Sequence, residues 1–129
     1  MNHPTKIVPS FVNLKSVHIP AQHQLAYHFR PSSTSTDKPA VLFCNDGFQS
    51  TMDSTKALAL EEFCRSSHLA YCRFDYQGHG ASKGKDSLNC TFSDWVRDTQ
   101  IILMETPLRN HDNVIVVRSS MGAWITMIR

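Results

Sequence analysis

Three short apolar runs at residues 40–45, 69–74 and 113–118 divide this 129-residue chain, and each breaks abruptly into a polar or glycine-bearing turn. Runs of this length match strands, and unbroken apolarity, as opposed to alternation, suits strands buried on both faces. The stretches between them, 55–66 and 91–106, repeat their apolar residues at helical spacing instead. Strand, helix, strand, helix, strand is a pattern that a largely parallel sheet with flanking helices satisfies. In such sheets function gathers at the carboxyl ends of the strands. The three breaks, Asp46-Gly47, Asp75-Tyr76 and Ser119-Ser120, all fall there.

Upstream, residues 11–19 and 24–30 are rich in Val, Leu, Ile, Tyr and Phe and are separated by Pro20-Ala21-Gln22-His23, which predicts a β-hairpin. Residues 1–10 are polar and proline-punctuated and read as a disordered terminus. Residues 31–39 are a loop rich in Ser, Thr and Pro. In the first helix Ala57, Leu60, Phe63 and Cys64 form the expected buried stripe. The second starts at Thr91-Phe92-Ser93-Asp94, a capping box with Asp in place of Glu, continues with Phe92, Trp95, Val96, Thr99, Ile102 and Leu103, and ends at Pro107. Residues 121–129 begin a third helix. The expected fold is one α/β domain over 11–129, an initial antiparallel hairpin followed by a mostly parallel sheet.

Hydrophobic residues make up 41% and charged ones 19%, enough apolar material for a core and too little charge for a disordered chain. A net charge of +2 with scattered basic residues argues against a nucleic-acid partner. No apolar run approaches the roughly 20 residues of a membrane helix, so no membrane span is expected. Cys44, Cys64, Cys72 and Cys90 show neither zinc-ligand nor disulfide-framework spacing. Cys44 and Cys72, inside strand-like runs, fit the small buried hydrophobes that free thiols become in a reducing compartment. The absence of an acidic residue before Asp37 faintly echoes a transit segment, leaving mitochondrial and cytoplasmic locations open.

Ser120 is the strongest nucleophile candidate. A turn from strand to helix exposes a serine hydroxyl while the N-H groups of the new helix face a developing oxyanion, the layout of the nucleophile elbow G-x-S-x-G. Arg118 stands where the first glycine belongs, and Gly122 fills the second position. Ser119 is flanked two places away by Val117 and Met121 and is the poorer choice. Two serines that simply cap a helix are the equal alternative at the local level. Gly47-Phe48 can place a backbone N-H opposite that of Met121 as an oxyanion hole, or it is a plain glycine turn. In Asp75-Tyr76-Gln77-Gly78-His79-Gly80-Ala81-Ser82 the glycines permit tight turning and the aspartate and serine can satisfy loop backbone groups. His79 lies before the serine, in a turn, and reads as structural. Residues 80–86 are one short of a phosphate loop and end in Asp, and no His and carboxylate cluster suggests a metal.

Taken in order, Asp46-Gly47-Phe48, the segment from Phe74 to Ser82 and the turn at Ser120 resemble the first half of the α/β-hydrolase family. The run Thr55-Lys56-Ala57-Leu58-Ala59-Leu60-Glu61-Glu62-Phe63-Cys64 is similar to the branch containing a mitochondrial palmitoyl-protein thioesterase and acyl-glucuronide esterase. The resemblance implies Ser120 as nucleophile, the backbone N-H groups of Phe48 and Met121 as oxyanion hole, and a small-molecule or protein-linked acyl ester or thioester as substrate. An acyl-serine forms and water releases it without a cofactor. In this family an acid and then a histidine follow the serine, and neither occurs after Ser120 here. The resemblance thus also implies a fragment or truncated form ending after the elbow, with 113–118 as an unprotected edge strand.

Overall fold

A computed structural model describes residues 10–13, 24–32, 38–44 and 51–118. Five strands and two α-helices follow one another as β1 (Ser10–Asn13), β2 (Gln24–Arg30), β3 (Ala40–Cys44), α1 (Thr55–Ser66), β4 (Ala70–Phe74), α2 (Phe92–Glu105) and β5 (Val114–Arg118). The strands make one sheet in the order β1-β2-β4-β3-β5. β1 pairs antiparallel with β2, and β2 pairs antiparallel with β4. β3 pairs in parallel with both β4 and β5. The expected antiparallel start and parallel sheet are both present, but Asn13 pairs with Gln24, so the first arm is residues 10–13 and not the run to residue 19 that a turn at 20–23 would pair.

Alternation along the strands decides which helix each residue meets. Ala40, Leu42 and Cys44 of β3 and Ala70, Cys72 and Phe74 of β4 share a core with Leu25 of β2 and with Trp95, Ile102 and Leu108 from α2 and the turn behind it. Val41 and Phe43 of β3 and Tyr71 of β4 point the other way, onto Ala57 and Cys64 of α1. Every residue of β3 and β4 is buried, which explains why both runs are apolar throughout except at Arg73. Fully burying a side chain such as Leu42 or Ile102 contributes about 1.5–3 kcal/mol.

Local chemistry fixes the helix ends. The Ser54 hydroxyl accepts the Ala57 N-H at the start of α1. At α2 the capping box is complete, with the Asp94 N-H donating to Thr91 Oγ1 and the Thr91 N-H donating to Asp94 Oδ2 at 2.8 Å. Each such cap stabilises by roughly 1 kcal/mol. Behind α2, Thr106 takes extended backbone and Pro107 opens a short 3-10 turn, Pro107–Asn110.

Several details differ from expectation. β1 begins at Ser10, one residue inside the stretch expected to be disordered, and the 14–19 part of the expected arm lies outside the described residues. β4 starts at Ala70 and β5 at Val114, each one residue later than the apolar run. Phe63 is 60% exposed. At 100° per residue it stands about 120° around the helix from Ala57, whereas Cys64 returns to the same face. Phe92 is 48% exposed because it occupies the first turn, where it reaches only the edge of the Trp95 ring, 6.2 Å between centroids. β5 is not the third fully buried strand. Val114 and Val116 touch the α2-side core and Val117 the α1-side core, but Ile115 is 49% exposed. Among the described residues β5 is an outer strand, paired with β3 alone, as an edge strand was expected to be.

Candidate active site

The parallel registers align the carboxyl ends of the three central strands. Phe43 stands opposite Arg73 on one side and Val117 on the other, and Cys44 stands opposite Arg118. The carboxyl ends of β3, β4 and β5 therefore lie side by side. The residues expected to react there, Phe48, Ser120 and Met121, lie outside the described residues, as do Asp46, Gly47 and Ser119. The described part of this edge is the loop after β4 and the residues on which it rests.

Asp75 organises that loop. Its carboxylate is buried and accepts the Met52 N-H on Oδ1 at 2.7 Å and the Ala81 N-H on Oδ2 at 2.9 Å. One side chain thus joins the segment entering α1 to the far end of its own loop. The Ser82 hydroxyl donates to the Asp75 carbonyl at 2.5 Å and accepts the Ala26 N-H of β2 at 2.9 Å. Next to it Lys83 exchanges backbone hydrogen bonds with Gln24. Gly78 and Gly80 have φ of +80° and +49°, the left-handed region that glycine enters without steric cost. The aspartate and serine satisfy backbone groups, and the glycines make the turn, as the sequence indicates. Burial raises the Asp75 carboxyl above its ordinary range, against the two backbone hydrogen bonds that lower it.

His79 is 4% exposed and packs edge-on to Tyr76 and Trp95, at ring-centroid distances of 6.4 and 5.7 Å. Its Nδ1 lies 3.2 Å from the Gln77 carbonyl. It is thus enclosed between the Tyr76 and Trp95 rings. Cys44, at the end of β3, is buried and its thiol is pushed up to about 12 by burial, so it stays protonated and a poor nucleophile.

Two buried polar residues have no counterpart among the sequence expectations. Arg73 of β4 is 2% exposed and donates from Nη1 to the Met52 carbonyl at 2.9 Å and to Asp53 Oδ1 at 2.7 Å, with Nη2 3.6 Å from Glu61. Asp98 of α2 is completely buried and accepts the Gln77 N-H and the Gln77 side-chain amide, each at 2.9 Å. Both were detectable. A lone cation inside the run Ala70-Tyr71-Cys72-Arg73-Phe74, and an acid between Trp95 and Ile102 on a buried helical stripe, interrupt otherwise apolar patterns. Among the described residues no group of three or more His, Cys, Asp or Glu could hold a metal, and no helix is long and apolar enough to cross a membrane.

A mixed sheet of this order, with helices on both faces and its parallel strand ends gathered at one edge, is an α/β-hydrolase architecture. The chain superposes on the alpha/beta hydrolase domain-containing protein 10 from mouse with a TM-score of 0.75 and 34% sequence identity, covering 94% of this chain and 43% of that one. It is 43% identical over 90 residues to the mitochondrial palmitoyl-protein thioesterase ABHD10 of Bos taurus, and 38% identical over 89 residues to that of Mus musculus. Those alignments take in 67% and 69% of this chain. No protein-family model matches the chain. The chain belongs to the α/β-hydrolase superfamily. It spans about 27% of the length of the bovine relative.

Proposed function

We propose that this chain carries the nucleophile and oxyanion turn of a serine hydrolase acting on carboxylic esters or thioesters. Ser120 attacks the acyl carbonyl, its hydroxyl proton passes to a general base, and the alcohol or thiol leaves once reprotonated. Water then cleaves the acyl-serine. The backbone N-H groups of Phe48 and Met121 stabilise the oxyanion, an effect worth about 2.7–4 kcal/mol per donor in comparable sites. The base and the carboxylate that orients it are not assigned within residues 1–129. The names of the ABHD10 relatives support an acyl thioester substrate and a mitochondrial location.

The observation that carries this assignment is the register pairing of Cys44 with Arg118. Phe48 is four residues beyond one member of the pair and Ser120 two beyond the other, so the chain distances allow an oxyanion donor and a nucleophile at the same sheet edge. A fluorophosphonate probe tests it on the intact protein. Labelling that disappears in Ser120→Ala is the expected result, and labelling that persists in that variant, or never occurs, overturns it. The second reading, a hydrolase-like protein that binds an acyl ligand or protein partner without turnover, is favoured by Arg118 in the place of the first elbow glycine. It predicts ligand binding with no labelling.

A further inference from the structure

We propose that Asp98 and Gln77 form a proton-operated latch that sets how firmly α2 holds the loop 75–82 at the carboxyl end of β4. Asp98 is completely buried, yet both of its oxygens are answered by one neutral residue. Gln77 is in turn the loop's main attachment to α2. Its carbonyl accepts the Trp95 indole N-H at 3.2 Å and the Cys90 thiol at 3.7 Å, besides its contact with His79. A buried carboxylate held only by neutral donors is costly, because hydrogen bonds replace part of its hydration and no counter-ion replaces the rest.

The charges around Asp98 leave that cost standing. Asp94, one turn earlier on α2, opposes ionisation, and the exposed Arg97 beside it is the weaker, favourable influence. Lys85 is drawn to Asp94, 3.4 Å away. From the loop Tyr76 faces the carboxyl, and from the segment before α2 Cys90 does, both with their own acid groups raised by burial and therefore neutral near physiological pH. Burial accordingly pushes the Asp98 carboxyl up to about 7, against the two bonds from Gln77.

Either protonation state can keep two hydrogen bonds to Gln77. Ionised, Asp98 accepts from the backbone N-H and the side-chain amide. Protonated, it still accepts the backbone N-H, and its new O-H donates to the Gln77 amide oxygen once that amide turns over. Gly84 is the backbone against which this amide rests, and a methyl group there would stand 3.0 Å from Gln77 Oε1. The proton thus reverses one hydrogen bond and removes the buried charge. In the unfolded chain the carboxyl returns to about 3.8. Between the two values the folded form holds a proton that the unfolded form has lost. The stability so contributed is complete below about pH 4, declines as pH rises, and is gone above about pH 7. Opening the loop hydrates the carboxylate, so the latch is looser on the alkaline side.

Magnetic-resonance titration of the intact chain from about pH 3 to about pH 9, spanning both the ordinary and the raised carboxyl range, tests this without reference to catalysis by Ser120. The Asp98 carboxyl carbon is expected to titrate near neutrality, with the Gln77 backbone and side-chain amides shifting at the same midpoint. Hydrogen exchange at Gln77 and Ala81 should then rise more steeply than the base-catalysed increase common to all amides. Asp98→Asn should abolish the Gln77 titration. A carboxyl midpoint below about pH 5, Gln77 amides that do not move, or the same Gln77 titration surviving in Asp98→Asn would each overturn the latch. If the variant does not fold, the carboxyl titration of the unsubstituted chain decides alone.

Discussion

The carboxylate of Asp75 fills the space in which a side chain on Gly80 would begin. Asp75 can accept the Met52 and Ala81 N-H groups together only because the chain five residues on is bare at its α-carbon and left-handed in its backbone. Gly80→Ala is therefore expected to destabilise by about 1–3 kcal/mol, through overpacking and positive φ together. Urea unfolding measures it, and an unchanged midpoint would show that the loop repacks.

Asp75→Asn retains the shape but turns one acceptor into a donor, so one of the two buried N-H groups loses its partner. The expected loss is about 1–3 kcal/mol. Limited proteolysis should then cut near Met52 or Ala81 before the rest of the fold is attacked, whereas uniform resistance would mean that the bridge is dispensable.

Arg73→Met removes the guanidinium that joins β4 to the Met52 carbonyl, Asp53 and Glu61. Asp53 remains well hydrated, so the ion pair itself contributes little. The stranded carbonyl and Glu61 dominate, at about 1–3 kcal/mol. A thermal melt of the variant that matches the parent would refute this accounting.

Alkylation should discriminate among the four free thiols. Cys90 is the one partly exposed, with its thiol pushed up to about 11, while Cys44, Cys64 and Cys72 are buried. Under native conditions iodoacetamide is expected to modify Cys90 slowly and the other three only after denaturation, as read by peptide mass spectrometry. Rapid native modification of Cys44 or Cys72 would contradict the packing of β3 and β4.

Arg118 is exposed at the end of β5. Arg118→Gly should change the fluorophosphonate labelling rate by less than about threefold, equivalent to under about 0.7 kcal/mol. A much larger gain would identify the arginine as the defect in the elbow.

The sequence by itself determined the architecture. Predominantly apolar runs at 40–44 and 69–74 encode strands covered on both faces, Ser54 and Thr91 encode the helix starts, and Gly78 and Gly80 encode a tight turn, because each depends on periodicity or on backbone preferences that act locally. What only the tertiary structure decided is where polar groups go once buried. Asp98 meets Gln77 and Arg73 meets Met52 across 21 positions of sequence, and Asp75 reaches Met52 across 23. Such partners depend on which strand lies beside which and on which face a helix covers. Ile115 shows the same limit from the other side: Val114 to Val117 are as apolar as β3, but among the described residues β5 has a strand neighbour on one side only, and nothing in the run itself records that.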